Sequence, residues 1–369
     1  MKRISILLLI FCTCFALAAW PQARPQWQHK IITYEVPGAG TGAGQGTQAF
    51  GVNLSGEVAG FYTDANGVNH GFLRKPDGAF AKFDPTGSTS TFVIGINDKG
   101  AVPGWYYDAN SVMHGFLRAR DGVITTFDAP GAGTGANQGT IAGDLNDPGM
   151  IAGYYIDGNN VSHGFLLNPE GTFTTFNAPG AGSGAGQGTF PMFFSCLTDL
   201  GASTGYYIDS NNVYHGFVLN PDGGITTFDA PGAGTGAGQG TSGESINQEG
   251  ASIGYYVDQS NVNHGYLRKP DGSIITINVR RAGTGTGQGT TAEGNNAEGA
   301  IVGGYYDANS VSHGFLRATD GWITTFDAPG AGTGAGQGTE AMTNNREGAI
   351  SGFVIDSNNV YHGFLRLPY

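Results

Sequence analysis

The sequence predicts an all-β protein assembled from seven copies of one four-stranded antiparallel unit. Three observations predict it. The tripeptide His-Gly-aromatic begins at His70, His114, His163, His215, His264, His313 and His362, at spacings of 44, 49, 52, 49, 49 and 49 residues. Each copy holds four short runs rich in β-branched and aromatic residues, bounded by Asn, Asp, Gly and Pro. No window carries helical periodicity over three turns. A repeat of this length with four strands is the pattern of a propeller blade, so the expected fold is a seven-bladed β-propeller of four-stranded antiparallel blades.

The third copy shows the elements in order. Thr140 to Leu145 reads as the first strand, ended by Asn146-Asp147-Pro148-Gly149. Met150 to Ile156 is the second, ended by Asp157-Gly158-Asn159-Asn160. Val161 to Leu167 is the third, ended by Asn168-Pro169-Glu170-Gly171, and Thr172 to Asn177 is the fourth. The intervening segments are short enough for hairpins.

The ends of the sequence are out of phase with the repeat in a complementary way. Ile31-Ile32-Thr33-Tyr34-Glu35-Val36-Pro37-Gly38 matches the fourth strand, and the last copy stops after its third, His362-Gly363-Phe364-Leu365-Arg366. Pairing 31–36 with the last copy would close a ring and remove two exposed sheet edges. Blades are expected at 47–84, 91–128, 140–177, 189–229, 241–278, 290–327 and 339–369, the last completed by 31–36. They would form one domain over 31–369, after a short lead at 20–30.

Residues 1–19 read as an export signal. Lys2 and Arg3 precede an apolar run from Ile4 to Ala19, and Ala16-Leu17-Ala18 supplies a small-x-small cleavage site. The run is short for a membrane span and no second one follows, so stable membrane insertion is not expected. Cleavage would remove Cys12 and Cys14 and leave Cys196 alone, which excludes an intramolecular disulfide. The expected location is secreted, periplasmic or at the cell surface. The formal charge of −12 argues against nucleic acid as a partner. With 39% hydrophobic and 11% aromatic residues, the chain has matter for a core despite its 65 glycines. A monomer is expected.

The repeat resembles that of the bacterial extracellular HAF-type repeat proteins, which carry a His-Ala-Phe motif and an Ile-Asn-x-x-Gly strand end. Here the tripeptide is His-Gly-Phe, and Ile96-Asn97-Asp98-Lys99-Gly100 supplies the second signature. The resemblance spans nearly all of 31–369. It departs at the Gly in the tripeptide and in a long Gly-rich connector. It implies export and a propeller-like fold, with no established chemistry and no catalytic residues to carry over.

Two recurring motifs read as blade-building. The connector Gly38-Ala39-Gly40-Thr41-Gly42-Ala43-Gly44-Gln45-Gly46-Thr47 recurs with variations, and suits a crossover from the outer strand of one blade to the inner strand of the next. It lacks the Gly-Lys-Ser/Thr of a phosphate loop and the Asp of a calcium roll. Asp64, Asp108, Asp157, Asp209, Asp258, Asp307 and Asp356 each stand six residues before a repeat His. An Asp there caps the hairpin, and the His is expected to bond that Asp or a nearby carbonyl. Seven equal copies spread round a ring would not converge on a metal, so no metal and no cofactor are expected. The tyrosines at Tyr62, Tyr106, Tyr155, Tyr207, Tyr256 and Tyr305, and the aromatic of each tripeptide, read as core.

Candidate ligand-binding residues are those that break the symmetry. The fourth copy has a three-residue insertion with an apolar run that includes Phe193 and Phe194. Arg280-Arg281 stands in place of what reads as the usual Ala-Pro. Trp105 and Trp322 are expected as exposed rings able to stack on sugars. Asp144, Glu244, Glu293 and Glu340 fall on first strands expected to line a channel. The function expected is a binding or interaction module for a glycan, peptide or surface partner. The alternatives are a polysaccharide hydrolase or lyase using the channel carboxylates, and a purely structural surface protein.

Overall fold

The β-branched and aromatic runs form strands, and the Asn-, Asp- and Gly-rich punctuation forms the turns between them. The structure, a computed structural model, describes residues 30–192 and 195–368. The expected export signal, the lead up to residue 29, Phe193 and Phe194 lie outside the described residues. Strand and turn fill the described chain, with no helix among these residues.

There are 28 strands. β1 is Ile31–Tyr34. β2 (Gly46–Val52), β3 (Val58–Thr63), β4 (Asn69–Arg74) and β5 (Phe80–Phe83) pair in order as an antiparallel set. The same succession gives β6 (Ser90–Val93), β7 (Val102–Tyr107), β8 (Met113–Arg118) and β9 (Ile124–Phe127). The third set is β10 (Gly139–Leu145), β11 (Ile151–Ile156), β12 (Ser162–Leu167) and β13 (Phe173–Phe176). The fourth is β14 (Gly188–Pro191), β15 (Ser203–Ile208), β16 (Tyr214–Leu219) and β17 (Ile225–Phe228). The fifth is β18 (Gly240–Ile246), β19 (Ser252–Val257), β20 (Asn263–Arg268) and β21 (Ile274–Ile277). The sixth is β22 (Gly289–Asn295), β23 (Ile301–Tyr306), β24 (Ser312–Arg317) and β25 (Ile323–Phe326). β26 (Gly338–Asn344), β27 (Ile350–Ile355) and β28 (Tyr361–Arg366) make the last, and β1 pairs antiparallel with β28, Ile31 opposite Arg366 and Tyr34 opposite Gly363.

The Gly-rich connector carries the chain from the fourth strand of one set to the first strand of the next. Its Gln pins it: Gln138 accepts from the Gly135 N–H at 2.9 Å and donates to Asn160 Oδ1 at 3.0 Å. A single parallel bridge then joins neighbouring sets, as between Gly139 and Met113. Packing between sets does the rest. Phe72, Phe116, Phe165, Phe217, Tyr266, Phe315 and Phe364 are fully buried, and each such ring contributes about 2–3 kcal/mol of burial.

First strands are bulged. In five sets the register shifts by one residue, at Phe50, Gly143, Glu244, Glu293 and Met342. A bulge re-aims the extra side chain and frees it from the ladder's alternation. Beyond six of the seven first strands, the Asn of the Ile-Asn-x-x-Gly signature reaches to the next set, Thr198 standing at the equivalent place in the fourth. Asn97 Nδ2 donates to the Asn146 carbonyl at 3.0 Å, Asn146 to Thr198 at 2.9 Å, Asn296 to Asn345 at 3.0 Å and Asn345 to Asn53 at 2.8 Å. Each Asn also caps its own turn, as Asn345 Oδ1 does by accepting from the Ala349 N–H at 2.9 Å.

Candidate functional site

The hairpin between the second and third strands of each set is tied by its Asp. Asp64 Oδ1 accepts from the N–H groups of Asn66 and Val68 at 2.8 and 2.9 Å. The repeat His stands across this hairpin. Its nearest partner is not that Asp but a residue 14 positions on, after the fourth strand: Asp84 for His70 at 2.7 Å, Asp128 for His114 at 2.8 Å, Asn177 for His163 at 2.8 Å. Asp229, Asn278 and Asp327 serve His215, His264 and His313 at 2.9, 3.0 and 2.8 Å. For His362 the partner is Glu35, beyond β1. The hairpin Asp is the second neighbour, from 3.2 Å at Asp258 to 3.8 Å at Asp108. In the first six copies one face of the imidazole is stacked on the buried Tyr of the second strand, with centroids 4.9 Å apart for Tyr305 and His313; Val354 stands opposite His362 in the last. Seven copies therefore present an imidazole held between two polar or acidic groups.

The sixth copy, at His313, borders a cleft. It opens into a cavity of about 600 Å³ lined by Arg281, Tyr305, Asp307, Ala308, His313, Thr325, Phe326 and Asp327. The strand register corrects the sequence alignment here. Ile277 pairs with Gly265 as Phe228 pairs with Gly216, so Arg280 and Arg281 occupy the places of Pro231 and Gly232, not of an Ala-Pro pair. Both arginines are exposed. Burial raises the Tyr305 phenol above its ordinary value, with Asp327 adding to the rise and the nearby Arg281 charge opposing it. Among the described residues Arg281 makes no ion pair with Asp307 or Asp327, which flank His313.

The acidic candidates lie deeper. Glu244 and Glu293 are bulge residues of β18 and β22. Burial raises both carboxyls, and Glu293 raises Glu244 further. Glu244 accepts from Ser242 Oγ at 2.7 Å, and Glu340 from the Tyr306 hydroxyl at 2.9 Å. These three form a continuous acidic arc across the fifth to seventh sets. Asp144 stands apart on β10, accepting from the Leu197 N–H at 3.0 Å, and burial pushes its carboxyl up to about 6.

Trp105 departs from expectation. It stands half-buried beside Phe50, Phe61 and Ile94, with one face stacked on Phe92 at 5.1 Å and 6°, so that face is not open to a sugar. Aromatic residues are expected where a first strand must pack on its neighbour. Trp322 remains 57% exposed. A second cavity, of about 370 Å³, lies at the ends of the first strands and takes walls from every set, with Asn97, Asp144, Asn247, Asn296 and Asn345 among them. The sequence reading did not assign the Asn residues or the His partners a role, although both recur at constant repeat positions. Among the described residues no group of three or more His, Cys, Asp or Glu is placed to hold a metal ion.

No protein-family model and no curated protein matches the sequence. Solved structures do match. The BP39L lectin from Burkholderia pseudomallei superposes with a TM-score of 0.53 at 10% identity, over 86% of this chain and 95% of that one. A prolyl endopeptidase matches with a TM-score of 0.51 at 12% identity, over 87% of this chain and 46% of that one. The β-propeller domain of the Trilobed protease from Pyrococcus furiosus gives 0.46 at 10% identity, over 87% and 95%. The neighbours are β-propeller proteins, and at these identities the likeness establishes the fold alone.

Proposed function

We propose that this chain is a seven-bladed β-propeller, closed by β1 against β28, that acts as a glycan-binding module through the clefts beside its repeat histidines. The observation that carries the reading is the open cavity of about 600 Å³ at the sixth cleft, lined by an imidazole, two carboxylates, the hydroxyl-bearing Tyr305 and Thr325, and a guanidinium. Hydroxyl-rich ligands need such paired donors and acceptors. The lectin among the structural neighbours is consistent with it. The acidic arc gives hydrolysis no comparable support, because Glu244 is held by Ser242 and Glu340 by Tyr306 inside the packed first strands.

The basic start and apolar run of residues 1–19 support export, and the HAF-type resemblance points the same way. Purified protein applied to immobilised neutral and acidic glycans and to cell-wall material tests the binding reading. Retention on at least one glycan is expected, lost in His313→Ala if the sixth cleft carries it. Absence of retention across the panel overturns the reading. N-terminal sequencing of the processed chain tests export, with a start close to Trp20 expected.

A further inference from the structure

Resting on the glycan-binding reading, we infer that the sixth cleft selects saccharides bearing a carboxylate, with Arg281 as the residue that confers the selection. The first observation is positional. Other copies place Gly at this point, as Gly131, Gly180, Gly232 and Gly330 do, and a substituent at Gly180 or Gly232 would face the Tyr hydroxyl of the same cleft. Arg281 does not keep the positive φ of +90 to +99° that these glycines adopt, and its exposed side chain lines the cavity beside Tyr305 and His313.

The second observation is the state of the guanidinium. It has no ion pair among the described residues, although two carboxylates line the same cavity. Asp327 is engaged with His313 Nδ1 at 2.8 Å, and Asp307 caps its own hairpin through the Asn309 and Val311 N–H groups. Arg281 thus keeps its planar donor fork for an incoming group. That geometry matches a carboxylate in two-point contact.

The surroundings restrict the class further. Thr325 and the outer oxygens of Asp307 and Asp327 offer acceptors and one hydroxyl, which suits sugar hydroxyls. Those same carboxylates, and the overall charge of −12, oppose a densely anionic polymer. A single carboxylate set among neutral hydroxyls, as in a uronic acid residue, meets both conditions.

The test is calorimetric titration of the protein with a neutral oligosaccharide bearing one terminal galacturonic acid residue and with its methyl ester, which keeps the hydroxyls and removes the charge. The ester is expected to bind at least about tenfold more weakly. Arg281→Gly, which restores the residue of the other copies, should weaken the acid to the level of the ester and leave the ester unchanged. Arg281→Lys should recover part of the difference, and added salt should shrink it. Equal binding of acid and ester, or an unaffected Arg281→Gly, overturns the inference and leaves glycan binding standing. If neither oligosaccharide nor any neutral glycan binds, the inference and the reading beneath it both fall.

Discussion

Asn345 donates from Nδ2 to the carbonyl of Asn53, 2.8 Å away and 292 positions earlier in the chain. The same side chain caps its own turn at the Ala349 N–H. One residue thus joins the last set to the first and shapes a hairpin at once. Asn345→Ala would leave the buried Ala349 N–H without its partner and remove one of the two bonds to the Asn53 carbonyl, which keeps the one from the Gly56 N–H, a cost of about 2 kcal/mol. The expected result is a lower urea midpoint with an unchanged m-value. The relay is interrupted at Thr198, whose Oγ1 accepts from Ala202 at 3.0 Å but which donates no bond to the next set. Thr198→Asn should raise the unfolding free energy by about 1 kcal/mol and the midpoint with it, and a fall instead would show that the fourth set cannot accommodate the relay.

Much of this was legible in the sequence, for reasons that particular residues make plain. Strands such as Thr140 to Leu145 were readable because alternation and turn chemistry agree locally, and the observed Gly139–Leu145 differs by one residue. The pairing of Ile31–Tyr34 with β28 was readable from phase alone. What escaped depends on register between strands. The contact of His70 with Asp84 is created by the hairpin between β4 and β5, which brings residues 14 apart together. The bulge that places Glu244 and Glu293 near each other leaves no sign in composition. Arg281 was misaligned because Ile277 replaces the Phe that marks the strand end in other copies.

Glycine at the start of a first strand is a stricter requirement than glycine elsewhere in the connector. Gly338 has φ +125°, and a Cβ there would lie 2.0 Å from the Ser312 carbonyl oxygen. Gly336, two residues earlier, has φ +75° with open space around it. Gly338→Ala should therefore cost about 3 kcal/mol or more, by forcing β26 away from β24. Gly336→Ala should cost about 1 kcal/mol, the left-handed backbone penalty alone. Thermal melts of the two variants side by side check the difference, and equal losses would contradict it.

Stability should respond to pH in two opposed windows. Asp144 has its carboxyl raised by burial from 3.8 to about 6, so the folded state holds a proton that the unfolded chain releases. Its favourable contribution is present at low pH and fades as pH rises from about 4 to about 6. Asp64 and Asp108 behave oppositely. The Val68 and Val112 N–H groups hold their carboxylates below the ordinary value, so their contribution is present above about pH 4 and lost as pH falls. A maximum between about pH 4 and 5 is expected. Asp144→Asn should remove part of the decline above it, a gain of up to about 3 kcal/mol at pH 7.5 and little at pH 4.5. Chemical denaturation across this range, for both proteins, measures it.

The pairing of β1 with β28 makes a prediction about connectivity. β1 contributes the ladder to β28, the Glu35 contact to His362, and Val36, which is 1% exposed and bonds Thr47 Oγ1 through its N–H at 2.9 Å. A chain beginning after Pro37 would leave β28 with an open edge and Val36's place in the core empty. It should lose several kcal/mol and aggregate. A circular permutant separates this from mere loss of residues. Joining residue 368 to residue 30 through a short turn, with new ends in the connector at 84–89, places β1 directly after β28 as an ordinary fourth strand. Such a protein should match the parent's unfolding free energy to within about 1 kcal/mol, because each hydrogen bond between β1 and β28 is kept. A permutant that fails to fold while the parent folds would show that the two end strands need separate chain ends to meet.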